Sequence, residues 1–134
     1  MASFSSFVTL DEMNNFWGKW ELGWKRGDYL RTDVHLNRGM ASISLANLPG
    51  SYSQKSLFLK NVVPGDSMYK PGADSQLQSR VLPPEPVRQG QAAVAFTKVS
   101  QGWVGYIGDV NNEDGSQKVV MEVCRFAADR AGSM

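Results

Sequence analysis

The clearest pattern in the chain is an alternation of polar and apolar residues over residues 29–36. The residues at one set of alternate positions are Tyr29, Arg31, Asp33 and His35. The residues between them are Leu30, Thr32, Val34 and Leu36. Because successive side chains of a strand point to opposite faces, this period of two predicts a strand with one buried face. The polar set should lie together on the other face.

Two segments carry apolar residues at helical spacing. In the first segment these residues are Met13, Phe16, Trp17 and Trp20. They predict a helix over residues 10–22, ended by Gly23. In the second segment they are Val119, Val120, Val123 and Phe126. They predict a helix over residues 116–129, which places Cys124 in the core beside Val120.

The remaining segments favour strands and one long loop. Residues 92–99 and 103–110 are two apolar runs around a tight turn, which predicts a β-hairpin. Residues 71–91 are rich in Pro, Gly, Ser and Gln and predict an extended loop. The elements together predict an α+β or α/β fold, with a single twisted sheet, a C-terminal hairpin and two covering helices. A length of 134 residues predicts one domain, 1–134.

Composition narrows the class of protein. The hydrophobic fraction of 42% and the charged fraction of 20% are typical of a soluble globular chain. The net charge of +1 disfavours nucleic acid as a partner, since phosphate binding leaves a basic footprint. The N-terminus lacks the basic start and apolar run of a signal peptide. No apolar run in the sequence is long enough to span a membrane. One cysteine and one histidine exclude a disulfide within the chain and a zinc site. We therefore expect a cytoplasmic protein without metal or cofactor.

The polar face of the predicted strand supplies the first candidate site. The imidazole of His35 can transfer protons near neutral pH, and Asp33 can orient it from two residues away. The same face can instead bind a ligand through Tyr29, Arg31 and His35. A third interpretation is the solvent-facing side of an antiparallel strand, where such residues are expected.

The acidic loop after the predicted hairpin supplies the second candidate, with Asp109 and Asn111. It differs from a calcium loop, because the positions that need Gly and Glu hold Asp114 and Val120. Three interpretations stay open: another kind of cation site, a ligand-binding loop at the end of a strand, or a turn whose side chains bond the local backbone.

Three tryptophans lie within eight residues of one another, at Trp17, Trp20 and Trp24. The first two should be core residues. Trp24 is followed by Lys25 and Arg26, and we expect it to be exposed at a ligand pocket or a dimer contact. A domain this small has much apolar surface to cover, so we predict a homo-oligomer such as a homodimer.

Residues 92–124, AAVAFTKVSQGWVGYIGDVNNEDGSQKVVMEVC, resemble the closing hairpin and helix of class I glutamine-amidotransferase-like domains. Residues 2–29 are similar to a late strand and helix of the same family. The likeness is carried by residues 94–96, Gly102 and residues 108–109. The resemblance implies a flavodoxin-like sheet. It also implies that this chain is a reduced version of a larger domain, which completes its sheet by pairing with a second copy of itself. The catalytic residues of the family are missing, since the chain has no early nucleophilic cysteine and His35 is not followed by Pro and Glu.

The sequence therefore favours a non-catalytic domain that binds a small molecule or a protein and forms a homo-oligomer. Its ligand-binding residues are predicted to be Tyr29, Arg31, His35, Asp109, Asn111 and Trp24. The alternative is a small-metabolite enzyme, namely a lyase, isomerase or hydrolase. That enzyme would use His35 as general acid or base with Asp33 or another nearby carboxylate.

Overall fold

The structure is a computed structural model that describes residues 10–40, 43–111 and 113–132. Within these residues, five strands form one curled antiparallel sheet, and two helices pack against it. The helices are α1 (Leu10–Gly18) and α2 (Asp114–Gly132). The fold is therefore mixed α+β, one of the two classes that the sequence predicts. Neither helix is long and apolar enough to cross a membrane in this part of the chain.

The sheet has the strand order β2-β1-β3-β4-β5. Its strands are β1 (Lys25–Leu36), β2 (Ser51–Lys60), β3 (Ser67–Pro71), β4 (Val94–Val99) and β5 (Gly102–Ile107). Each neighbouring pair is antiparallel. β4 and β5 form a hairpin in which Val99 pairs with Gly102. A short 3-10 turn, Pro64–Asp66, precedes β3.

The sheet curls until β2 meets the segments that flank the hairpin. Leu59 and Ala92 exchange both backbone hydrogen bonds, each 2.8 Å long. The backbone N–H of Leu57 donates to the carbonyl of Gly108 at 3.1 Å. Gly108 is required here, because a Cβ at this position would collide with Ser56 Oγ and the Leu57 carbonyl oxygen. This part of the β2 edge is therefore closed within the chain itself.

The two helices cover opposite faces of the sheet. Val119 of α2 belongs to a buried cluster that contains Phe58 of β2. Met13 and Trp17 of α1 belong to a second cluster that contains Leu57. Because Leu57 and Phe58 are adjacent in a strand, their side chains point to opposite faces. The clusters therefore lie on the two sides of the sheet.

The tryptophans near α1 differ from the prediction. The predicted helix 10–22 ends at Gly18, and Trp20 lies beyond its end with 46% of its surface exposed. Trp24 is 3% exposed and packs edge-to-face on Trp17, with ring centroids 4.9 Å apart. The predictions of a buried Trp20 and an exposed Trp24 are therefore wrong. The early end of the helix takes Trp20 out of the apolar stripe, and the chain then returns Trp24 to the core.

Helix α2 is longer than the predicted 116–129 and has a narrower buried stripe. Val119 is fully buried, whereas Val120 is 38% exposed and Cys124 is exposed. At 100° per residue, Val120 and Cys124 are rotated away from the face that Val119 shares with Val123 and Phe126. The prediction that Cys124 is a core residue is wrong for this reason.

Candidate functional site

The polar face of β1 has the composition that the alternation predicts. Thr32 and Val34 are fully buried, whereas Asp33 and His35, which alternate with them along the strand, are exposed. In the register of β1 with β2, Arg31 lies opposite Lys55. Because partners across an antiparallel pair share a face, β2 adds its own polar side chains to this surface.

An open groove of about 290 Å³ runs along one end of this face. We call it the β1–β2 groove. Its lining residues are Tyr29, Leu30, Arg31, Lys55, Leu77, Gln78, Ser79, Arg80 and Leu82. β1 and β2 form its floor, and part of the long loop after β3 forms its wall. It combines an aromatic ring and leucines with three cationic side chains.

A chain of hydrogen bonds attaches the wall of the groove to its floor. The backbone N–H of Gln78 donates to the carbonyl of Arg31 at 2.9 Å. The Ser53 hydroxyl donates to Gln78 Oε1 at 2.7 Å, and Arg31 Nη1 donates to Ser53 Oγ at 3.1 Å. The loop is therefore held at Gln78 by both strands.

The cations of the groove differ in their partners. Arg31 Nη2 forms an ion pair with Glu113 Oε1 at 2.7 Å. The Lys55 ammonium lies 5.5 Å from the centroid of the Tyr29 ring, within the range of a cation–π contact. Within the described segments, neither Lys55 nor Arg80 forms an ion pair with a carboxylate. The groove therefore keeps positive charge that its own residues do not neutralise.

A second cleft, of about 370 Å³, lies at the start of α2. It is lined by Tyr52, Ser53, Glu113, Asp114 and Gly115. The Tyr52 hydroxyl lies 2.8 Å from Ser116 Oγ and accepts a hydrogen bond from Gln54 Nε2 at 2.6 Å. Burial raises the pKa of Tyr52 above its usual value, because removal from water penalises the charged phenolate. Glu113 is paired with Arg31, and Asp114 forms no ion pair among the described residues, so the Asp114 carboxylate makes this acidic cleft unfavourable for an anion.

His35 and Asp33 lie on the polar face but line neither cleft. In the described residues, no hydrogen bond or ion pair joins the His35 side chain to Asp33 or another carboxylate. Gly72 lies against the imidazole, since a Cβ on it would come within 2.7 Å of His35 Cδ2. The ring is therefore covered on one side by the backbone after β3.

Asp109 and Asn111, the predicted site residues of the acidic loop, do not line the β1–β2 groove. The carboxylate of Asp109 accepts hydrogen bonds from the backbone N–H groups of Asn111 and Glu113, at 2.7 and 2.8 Å. This is the geometry of the third interpretation, a turn that bonds its own backbone. The side chain of Asn111 is exposed, and Trp24 is buried in the cluster under α1. No group of three or more His, Cys, Asp or Glu converges in a way that suits a metal, among the residues described.

Most of the groove was not predicted from the sequence. The predicted ligand-binding residues included Tyr29 and Arg31, but Lys55, Leu77 and Arg80 also line the groove. The signal for Lys55 is the pairing of β1 with β2, which places it opposite Arg31.

Comparison with models of protein families, with curated proteins and with solved structures gave no match. The resemblance to glutamine-amidotransferase-like domains stays a prediction.

Proposed function

We propose that this chain is a non-catalytic binding domain and that its β1–β2 groove takes a small ligand with an anionic group and an apolar body. The observation that carries the proposal is the position of Lys55. Its ammonium lies beside the Tyr29 ring in a groove with leucines and forms no ion pair with a carboxylate of the described residues.

The chemistry of the groove supports this class of ligand. Lys55 and Arg80 can both donate charge-assisted hydrogen bonds to a carboxylate or a phosphate. Tyr29, Leu77 and Leu82 offer apolar surface for the body of the ligand. A volume of about 290 Å³ lies near the lower end of small-molecule sites, which favours a ligand the size of one aromatic ring with its anionic group.

The alternative of an enzyme that uses His35 has less support. A general base must lie within hydrogen-bond reach of the proton that it removes, and a partner carboxylate should orient it. His35 is exposed and lines neither cleft. Proton transfer by His35 therefore stays a prediction from the sequence alone.

Self-association is the second part of the proposal. The outer side of α2 exposes apolar side chains, with Met121 61% and Val120 38% accessible. Light scattering on the purified protein tests it, and a particle with the mass of one chain would contradict it. The groove proposal does not depend on this result, because all of its lining residues come from one chain.

Calorimetric titration with phenyl phosphate tests the groove, since this probe joins a phosphate to one aromatic ring. We expect saturable binding that weakens about tenfold in Lys55→Gln, the effect of removing one charged hydrogen bond. Lys70→Gln is the matched control, because Lys70 is an exposed lysine on β3 outside the groove. Equal affinities of Lys55→Gln and the parent protein would refute the proposal, and so would equal binding of uncharged phenol.

A further inference from the structure

The long loop after β3 presents a proline-rich segment to solvent. Residues 79–86 are all exposed, and Val81 and Leu82 are 89% and 58% accessible. The base of this segment is fixed, because the N–H of Leu77 donates to the carbonyl of Glu85 at 2.8 Å. Val87, at the end of the segment, is 8% exposed and anchored in the core. The protein thus holds an apolar segment outward on an ordered support.

The sequence of this segment restricts its backbone to the polyproline II region. Pro83, Pro84 and Pro86 each fix φ near about −65°. The residues that precede prolines, Leu82 and Glu85 among them, are pushed into the extended region by the proline ring. Residues 82–86 therefore need little further ordering to bind as a polyproline II helix, which lowers the entropy that a partner must overcome.

The spacing of side chains in the segment defines one recognition edge. A polyproline II helix has three residues per turn, so Arg80, Pro83 and Pro86 recur at the same position of successive turns. Leu82 and Glu85 lie beside the two prolines, and Pro84 faces away from that edge. The segment thus has a cation followed by an apolar residue and by two prolines spaced three residues apart. Grooves lined with aromatic rings bind segments of this kind.

We propose that residues 80–86 are a docking segment for a partner protein whose groove is lined by aromatic side chains and flanked by a carboxylate. Src homology 3 domains have this chemistry. Leu82 with Pro83 fills one aromatic pocket, Pro86 fills the next, and Arg80 pairs with the carboxylate. Glu85 is a departure, because an acidic residue stands where a second apolar side chain would fit.

The position of the segment has a consequence for the β1–β2 groove. Arg80 and Leu82 line that groove in the free protein, and Ser79 Oγ accepts hydrogen bonds from the N–H groups of Val81 and Leu82. Binding of a partner would draw Arg80 and Leu82 away from the groove and open this turn. The partner and a ligand of the groove should therefore compete.

The test is binding of the whole protein to a panel of purified Src homology 3 domains, measured by biolayer interferometry. We expect at least one domain to bind with micromolar affinity, and the double variant Pro83→Ala, Pro86→Ala to bind about tenfold more weakly or worse. Pro84→Ala is the matched control, because it also removes a proline but on the outward side. Circular dichroism and thermal melts establish that each variant is folded.

Any one of three outcomes would overturn the proposal that residues 80–86 are a docking segment. The first is that no domain of the panel binds, and the second is that Pro84→Ala loses as much affinity as the double variant. Binding to WW domains alone would also contradict it, since it would indicate a different class of partner. The phenyl phosphate titration is independent of all three results, so failure here leaves the groove proposal standing.

Discussion

The guanidinium of Arg31 lies 2.7 Å from the carboxylate of Glu113, and this ion pair links the two clefts. Arg31 lines the β1–β2 groove, and Glu113 lines the acidic cleft at the start of α2. The pair neutralises Arg31, so the positive charge available to a ligand comes from Lys55 and Arg80. The two clefts therefore differ in charge although they are neighbours.

Replacing Glu113 with glutamine should strengthen anion binding in the groove. The variant Glu113→Gln leaves Arg31 without its counter-ion, so we expect several-fold tighter binding of phenyl phosphate by calorimetry. The free energy of unfolding should fall by about 1 kcal/mol or less, because both side chains are partly exposed to water. Glu122→Gln, which removes a charge paired with Arg125 on α2, is the control. An equal effect of the two variants would contradict this role of Glu113.

Stability should fall at alkaline pH because of buried tyrosines. Burial raises the pKa of Tyr106, whose hydroxyl donates to the carbonyl of Leu57 at 2.6 Å, above the ordinary value of 10.0. The unfolded chain therefore loses this proton first, and the free energy of unfolding decreases as the pH rises beyond about 10. The pKa of Tyr69 is raised for the same reason and adds to the effect.

The variant Tyr106→Phe isolates the contribution of Tyr106 to the loss of stability at alkaline pH. We expect a loss of ~1 kcal/mol at pH 7 from the missing hydrogen bond, and a shallower decline of stability between about pH 10 and pH 11. Urea unfolding across this pH range measures both quantities. Tyr29→Phe is a control at an exposed tyrosine, 40% accessible. A decline as steep in Tyr106→Phe as in the parent protein would exclude Tyr106 as a cause.

The aromatic cluster under α1 should dominate the stability of that face. Trp17 is 2% exposed and packs on both Trp24 and Tyr106. Trp17→Ala should therefore cost about 3–5 kcal/mol, as large-to-small changes in cores do. Trp20→Ala, at a site 46% exposed, should cost under ~0.5 kcal/mol. Denaturant unfolding of both variants gives the comparison, and similar losses would mean that the placement of these residues is wrong.

Closure of the sheet at Gly108 should not tolerate a side chain. In Gly108→Ala, the new methyl group would overlap Ser56 Oγ and the carbonyl of Leu57, and we expect a loss of about 1–3 kcal/mol. Gly102→Ala is the control, because the nearest atom to its Cβ is the Val99 carbonyl oxygen at 3.8 Å. Thermal melts measure the difference. A Gly108→Ala protein as stable as Gly102→Ala would show that the edge of β2 is open here.

The sequence was informative wherever a local period determines structure. The alternation in residues 29–36 identified the polar face of β1, because one buried face imposes a period of two. An alternating pattern is absent from β3, because its residues are buried on both sides except Lys70. The helical spacing misassigned Trp20 and Trp24, because the end of α1 changes which tryptophan reaches the core.

The candidate site was only partly predictable for a related reason. Tyr29 and Arg31 belong to a local pattern, whereas Lys55 joins them only through the register of β1 with β2. Leu77 and Arg80 come from a loop whose position depends on hydrogen bonds between Gln78 and the two strands. Contacts between segments far apart in the chain leave no periodic signal in either segment.

The most direct test of the groove is an NMR titration of the ¹⁵N-labelled protein with phenyl phosphate. The proposal predicts saturable shifts of backbone amides around Tyr29, Lys55 and Gln78, with no comparable shifts at Trp24 or in α2 beyond Ser116. In Lys55→Gln the same shifts should need a higher concentration of the probe. An absence of shifts at the groove, or shifts centred elsewhere on the sheet, would contradict the proposed binding site.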